Sequence, residues 1–229
     1  MTATPTSPAP KRRHNPNLER DKVLDVALDL LNETGFEGLT LRRLAERLGV
    51  KAAALYWHFQ NKQDLINHLA ARIFAREFDA SKADIAKASW QQILTGMGYG
   101  LCDALMRYRD GALLISNADL SQTNLGFKGR EIVVGELLRK GFPPKLVYLA
   151  LFSVVRYTLG YVIEEQSDPR AQKKGNAYIS HAVPHLEAKY PEATEELIRL
   201  HNQLSSNPRY MFEQGLQLIL DGVEKKLTA

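Results

Sequence analysis

The sequence predicts an all-α protein, and three observations carry that prediction. Apolar residues recur at spacings of three and four along most of the chain. The strict alternation of half-buried strands is scarce. Glycine, proline and short polar residues fall between the periodic stretches, where helices must begin and end. The expected architecture is an N-terminal three-helix, helix-turn-helix domain joined to a larger helical domain.

Leu24, Ala27, Leu28 and Leu31 form one helical stripe that stops near Gly35, with Gly38 in the following connection. Thr40 is placed to cap a short second helix carrying Leu41, Leu44, Ala45 and Leu48. Gly49 permits a sharp turn, and a third short helix covers 51–57. Asn61 caps a fourth helix with Asp64 in its positive first turn; Leu65, Leu69 and Ile73 face inward from it.

A second region opens at Ser89. Its first helix covers 90–108, weakened by Gly96, Gly98 and Gly100. A short helix or turn follows over 109–117, then a helix over 128–140 closed by Gly141, Pro143 and Pro144. A long apolar helix covers 145–166. Residues 167–191, with Pro169, Lys173, Lys174 and Gly175, predict a mobile loop flanking a short helix. A helix over 192–203 precedes the last one, which Pro208 starts and in which Phe212, Leu216, Ile219, Leu220 and Val223 face inward. The domain boundaries expected are a basic, proline-rich tail over 1–16, a helix-turn-helix domain over 17–62, a connecting helix over 63–80 and a helical domain over 81–229.

Composition bounds the function. The chain has 229 residues, 45% hydrophobic and 24% charged, enough to bury a core and too apolar for wholesale disorder. A formal charge of +4 does not by itself imply a nucleic-acid partner; placement of the basic residues decides that. One cysteine, Cys102, excludes an intramolecular disulfide and fits a reducing, cytoplasmic setting. Residues 1–16 hold four prolines and Lys11, Arg12 and Arg13, without the apolar stretch of a secretory signal. The most apolar segment, 146–163, is marginal in length for a membrane span and has Arg156 in its middle. It reads as a buried helix, and no membrane partner is expected.

Helices two and three with the Gly49 turn have helix-turn-helix dimensions, and the second helix of such a pair lies in the major groove. Here it is Lys51, Ala52, Ala53, Ala54, Leu55, Tyr56, Trp57, His58 and Phe59. Its small start lets the backbone approach base edges, and alanine methyls can meet a thymine methyl. Arg42, Arg43, Lys51 and Lys62 can neutralise phosphates.

The runs Gly35-Phe36-Glu37-Gly38-Leu39-Thr40, Leu44-Ala45-Glu46-Arg47-Leu48-Gly49-Val50 and Leu55-Tyr56-Trp57-His58-Phe59-Gln60-Asn61-Lys62 strongly resemble the tetracycline-repressor family of bacterial transcription regulators. The resemblance implies a homodimer with two reading heads and a ligand-binding, dimerising body, its partners being double-stranded operator DNA and a small-molecule effector. By motif match Thr40, Arg42, Tyr56, Trp57, His58 and Lys62 fall at DNA-contact positions, and Lys51, Ala52, Ala53 and Ala54 where bases are read. Alanine makes no bidentate bond to a base, so the operator read should differ from that of family members with polar residues there. Lys11 to Arg13 fit either a basic arm on DNA or a solvated leader.

The body resembles the same branch more loosely, through Ser89-Trp90-Gln91, Arg109-Asp110-Gly111-Ala112, Thr158-Leu159-Gly160, Glu164 and the run from Gly215 to Leu227. The family's magnesium-binding histidine falls at Ile115, other drug-contact positions at Phe78, Met97, Leu101 and Val133, and an Arg-Pro pair is replaced by Asp119 and Leu120. Only Glu164 keeps an acidic role. Ile115 offers a metal nothing, so the expectation is no metal and no cofactor, with an apolar or aromatic effector instead. Arg156 is the only charge between Leu146 and Ile163 and, if buried, needs a partner: Glu164, Asp119 or an anionic ligand group. The three glycines of the 90–108 helix imply either a widened cavity or close helix packing. The 145–166 and final helices are expected to pair across a dimer, with Ser153, Gly160 and Gly215 allowing close approach.

An enzyme is the competing class. The chain has no G-x-S-x-G, phosphate-loop or H-E-x-x-H sequence. His181, His185 and Glu187 are interrupted by Pro184, which disfavours a helical zinc site. Within the regulator class, the expectation is a repressor released from a palindromic operator by its effector; activation and ligand-free DNA binding are the alternatives, and the mild net charge and large apolar body argue against the second.

Overall fold

A computed structural model describes residues 19–77, 85–119, 121, 128–167, 186–205 and 207–228. No strand occurs among them. The helices are α1 (Arg20–Gly38), α2 (Leu41–Arg47), α3 (Ala52–Leu55), α4 (Lys62–Glu77), α5 (Trp90–Met106), α6 (Gly111–Ser116), α7 (Lys128–Arg139), α8 (Pro144–Gln166), α9 (Pro191–Ser205) and α10 (Pro208–Leu227).

The predicted caps are present. The backbone N–H of Arg43 donates to the Thr40 hydroxyl (3.2 Å), and that of Asp64 to the Asn61 side chain (2.9 Å). Ser89 and Gln92 form a reciprocal capping box at the start of α5. At Gly35 the backbone turns to φ +73°, so α1 breaks there and Phe36 swings into the core. The third helix is shorter than predicted: only Ala52–Leu55 is helical, and residues 56–58 form turns. Three consecutive alanines favour helix, but four residues cannot sustain one without tertiary support.

That support is a core running from the head into the body. Leu24, Leu28 and Leu31 of α1, Leu44, Leu55, Phe59, Leu65, Leu69 and Ile73 belong to one buried cluster with Leu101, Leu105, Ile115, Val154 and Phe212. A second cluster joins Leu94, Leu137, Phe142, Leu146, Val147, Leu151 and Leu220, and Met97 touches both. Helix α8 packs mainly on α5 and α10.

Helix α8 is long and apolar enough to cross a membrane by composition alone. Its inner face, from Leu146 through Ala150 and Val154 to Val162, is buried, and the Thr158 hydroxyl donates to the Val154 carbonyl (2.8 Å). Its outer face exposes Tyr148, Leu149, Ser153, Arg156, Gly160 and Ile163. Arg156 is therefore not the buried charge its surroundings in sequence imply. Its guanidinium stands 5.0 Å from the Phe152 ring centre, which in turn lies 4.3 Å from the Tyr148 ring. The sequence pattern misleads because an apolar helix with two apolar faces does not reveal which one faces the core.

The glycine question divides by position. A Cβ on Gly98 would lie 3.0 Å from Leu216 and 3.3 Å from Val154, so this glycine serves close packing, whereas Gly96 faces open space. Gly215 also packs within the chain, since a Cβ there would collide with the Tyr157 hydroxyl. That hydroxyl donates to the Met211 (3.1 Å) and Phe212 (3.2 Å) carbonyls, and Tyr99, Tyr157 and Tyr161 surround the buried Phe212 ring.

Gly35 and Gly49 both have positive φ, but only Gly35 is crowded: a Cβ there would lie 2.6 Å from the Asp110 carboxylate. Gly49→Ala should cost about 1–2 kcal/mol from backbone strain alone. Gly35→Ala should cost more and lower the thermal midpoint further; equal midpoints in thermal unfolding would contradict this.

Candidate nucleic-acid interface and its link to the body

The candidate reading surface is built on buried anchors. Leu44 and Leu55 pack in the core at either side of the Gly49 turn, and Phe59 follows one turn later; all three are fully buried. The turn closes by hydrogen bonds from the Gly49 N–H to the Glu46 carbonyl (3.2 Å) and from the Val50 N–H to the Ala45 carbonyl (3.0 Å). These anchors leave Lys51, Ala52, Ala53, Tyr56 and Trp57 exposed, with Ala54 and His58 half-buried beside them. Tyr56 and Trp57 are 58% and 54% exposed, so both rings are open to contact from outside the chain.

Arg42 lies on the exposed side of α2, held by Glu46 at 3.0 Å. Thr40 uses its oxygen as a cap acceptor, leaving its hydroxyl proton to donate. Lys62 is turned partly inward: its ammonium lies 3.4 Å from the Phe36 carbonyl and 4.9 Å from the Phe36 ring centre. Lys11 to Arg13 lie outside the described residues.

The head is fastened to the body at three places, none visible in the sequence. At the α1 break, the Phe36 N–H donates to the Asp110 carboxylate (2.8 Å). There too the Arg109 N–H donates to the Asn32 side chain (2.9 Å) and its guanidinium to the Glu33 carbonyl (2.9 Å). Asp110 adopts a left-handed conformation (φ 55°) to reach this position. Along α4, Gln63 donates to the Asn117 carbonyl (2.7 Å), and the buried Asn67 side chain accepts from Gln63 (3.0 Å) and from the Asp119 N–H (2.8 Å). At the end of α4, Glu77 accepts from Arg107 (2.7 Å) and the Tyr108 hydroxyl (3.1 Å). The partners in these bonds between head and body lie 30 to 77 positions apart, so no local signal announces them.

The predicted ligand residues are only partly brought together. Leu101 and Ile115 are buried in the main core, Met97 bridges the two clusters, and Val133 packs on the second. Asp119, Arg156 and Glu164 lie outside both clusters, and Phe78 lies outside the described residues. Leu120, His181, Pro184 and His185 are outside them too. A small cavity of about 110 Å³ lies elsewhere, between Asp110, Leu113, Ile163, Gln166 and Ser167. No group of three metal-ligating side chains occurs among the described residues. Cys102 is buried, and that burial pushes its thiol up to about 11, which suppresses the thiolate and its reactivity.

A short exposed helix behind a glycine turn, mounted on a helical body, defines a helix-turn-helix DNA-binding protein with a regulatory domain. The family model for bacterial regulatory proteins of the tetR family matches residues 23–69, and that for the tetracyclin repressor-like C-terminal domain matches residues 84–227. The chain belongs to the TetR family: it is a ligand-responsive, DNA-binding transcriptional regulator and not an enzyme. It is 34% identical over 219 residues to the tetracycline repressor protein class D of Escherichia coli, covering 93% of this chain and 92% of the relative. A TetR variant from Acinetobacter baumannii in complex with minocycline superimposes with a TM-score of 0.69 at 30% identity, over 91% of this chain and 98% of that one. BioQ with its double-stranded DNA operator gives 0.63 at 27% identity, over 90% and 98%.

If the aromatic edge meets phosphates, Tyr56→Ala should weaken operator binding about tenfold, the value of one hydrogen bond to a charged group. Wild-type affinity should also fall steeply with salt. A salt-independent affinity in fluorescence anisotropy titrations would contradict the assignment.

Proposed function

We propose that the protein is a homodimeric repressor that binds a palindromic operator and is released by a small apolar or aromatic effector. The observation that carries the DNA half is the exposed set Lys51, Ala52, Ala53, Tyr56 and Trp57 on fully buried Leu55 and Phe59. Lys51 to Ala54 read bases, while Thr40, Arg42, Tyr56, Trp57, His58 and Lys62 set the register on phosphates. Lys62 reaches them by leaving Phe36. The head spans 17–62, α4 connects it, and the body from 81 onward senses and dimerises.

The outer face of α8 supports the dimer. Tyr148, Leu149 and Ile163 are exposed there, and α10 exposes Tyr210, Met211 and Leu218, the last at 73%. So much exposed apolar area on adjacent helices suits a partner of the same kind. Leu216, by contrast, is buried against Gly98 of its own chain. Ser153 and Gly160 remain available for close approach; Gly215 does not.

Effector chemistry is read from Met97, Leu101, Ile115 and Val133, which are apolar throughout, with Phe78 adding an aromatic ring. Binding that displaced the end of α6 would move Asn117 and Asp119, and through Gln63 and Asn67 tilt α4 and the head it carries. Two heads must match the half-site spacing, so a small tilt suffices. The effector needs a preference between the two states of about 1–3 kcal/mol. The family's regulatory role on DNA fits a cytoplasmic setting.

Two measurements test this. Leu149→Arg with Leu218→Arg should sediment as a folded monomer and lose operator binding; an intact dimer would refute the interface. Magnesium-tetracycline should fail to release DNA from the wild-type protein in a mobility-shift assay, because Ile115 supplies no metal ligand; release at ordinary drug levels would overturn the pocket reading.

A further inference from the structure

Helix α3 has four residues, and its last carbonyl, that of Leu55, accepts from the N–H groups of His58 and Phe59 (both 2.9 Å). The carbonyl of His58, at the end of the turns that follow, is taken by Arg20 from the first turn of α1, at 3.1 Å. The same guanidinium nitrogen meets Nε2 of His68 on α4. The guanidinium also lies 5.5 Å from the centre of the Phe59 ring, on which the His68 ring packs at 5.8 Å. Asp64 stands one turn before His68, its carboxylate 3.3 Å from Nε2. Side chains from two helices, α1 and α4, thus converge on the chain that follows Tyr56 and Trp57.

We propose that Arg20 and His68 are positioning residues for DNA binding, together holding the end of the reading unit so that Tyr56 and Trp57 meet phosphates in a fixed register. This rests on the reading of that edge as the DNA-facing surface. Arg20 cannot donate to Nε2 unless the ring is unprotonated there, so the arrangement requires neutral His68. Burial chiefly, then the charge of Arg20, holds His68 below its ordinary value, against the pull of Asp64. The folded state therefore favours the neutral ring. The contact is complete above the ordinary histidine range, about 6.5, and is lost as pH falls through the lowered value. Protonation removes the acceptor and sets a second positive charge against Arg20, while Asp64 draws the ring away.

Among the described residues the charged and titratable neighbours are Arg20 from α1, Asp64 on the same helix, and His58, whose ring lies 6.3 Å from the Phe59 ring. Arg72, one turn further along α4, is committed to Asp25. His58 works in the opposite sense, since its protonation adds positive charge beside phosphates. A variant confined to His68 separates the two.

The experiment is binding of the full chain, at constant ionic strength, to a duplex selected from random-sequence DNA by the wild-type protein. His68→Gln keeps an acceptor but cannot titrate. It should match the wild type near pH 8, then exceed it, by up to roughly tenfold, as the pH is lowered far enough to protonate His68 and the wild type loses the contact. Arg20→Ala should bind roughly tenfold more weakly near pH 8 with an unchanged salt slope, and Arg20→Lys, which keeps the charge, should recover part of that loss. Circular dichroism checks that each variant is folded. Parallel pH profiles for wild type and His68→Gln overturn the proposal. So does a salt slope reduced by about one contact in Arg20→Ala, which would make Arg20 a phosphate ligand. Binding lost in Tyr56→Ala but untouched in Arg20→Ala near pH 8 overturns the proposal alone. If the wild type selects no duplex, the DNA-facing reading fails and the proposal with it.

Discussion

The structure depends on one continuous core. Helices of seven and four residues have no stability of their own, because the entropy of nucleating a helix exceeds what a few hydrogen bonds return. Leu44, Leu55 and Phe59 hold them by burial in the same cluster that contains Leu101, Ile115 and Phe212 of the body. A reading surface mounted this way cannot shift without disturbing side chains that belong to the sensing half. Packed interiors have discrete arrangements and resist continuous deformation, which is the property a two-state regulator needs.

Polar contacts add direction to that coupling. The bond from Phe36 to Asp110, those from Gln63 to Asn117 and from Asp119 to Asn67, and the grip of Glu77 on Arg107 and Tyr108 fasten the head at the α1 break, along α4 and at its end. Each place joins head to body, so each is sensitive to a small rotation. Hydrogen bonds fall off steeply with angle and distance, whereas apolar packing tolerates sliding. The core therefore sets the stability of the junction and the polar set defines its geometry.

The two faces of α8 divide its labour. The inner face packs on α5 and α10. The outer face carries Tyr148, Phe152 and Arg156 in a row, each touching the next. A guanidinium on an aromatic face keeps its solvation on the open side while shielding apolar area, which reconciles a charge with an otherwise apolar helix.

Helix positions and caps were legible from residue pattern because they rest on local physics. Thr40 and Asn61 cap where a short polar residue precedes an apolar repeat, and Leu24, Leu28 and Leu31 repeat with the helical period. The motif from Leu55 to Lys62 pointed to the family and with it the fold. Only tertiary structure decided which side of α8 is the core, that Gly98 and Gly215 serve packing inside one chain, and that Arg20 reaches His58 and His68. These depend on distances between residues far apart in sequence, and a periodic pattern names a helix face without naming what lies against it.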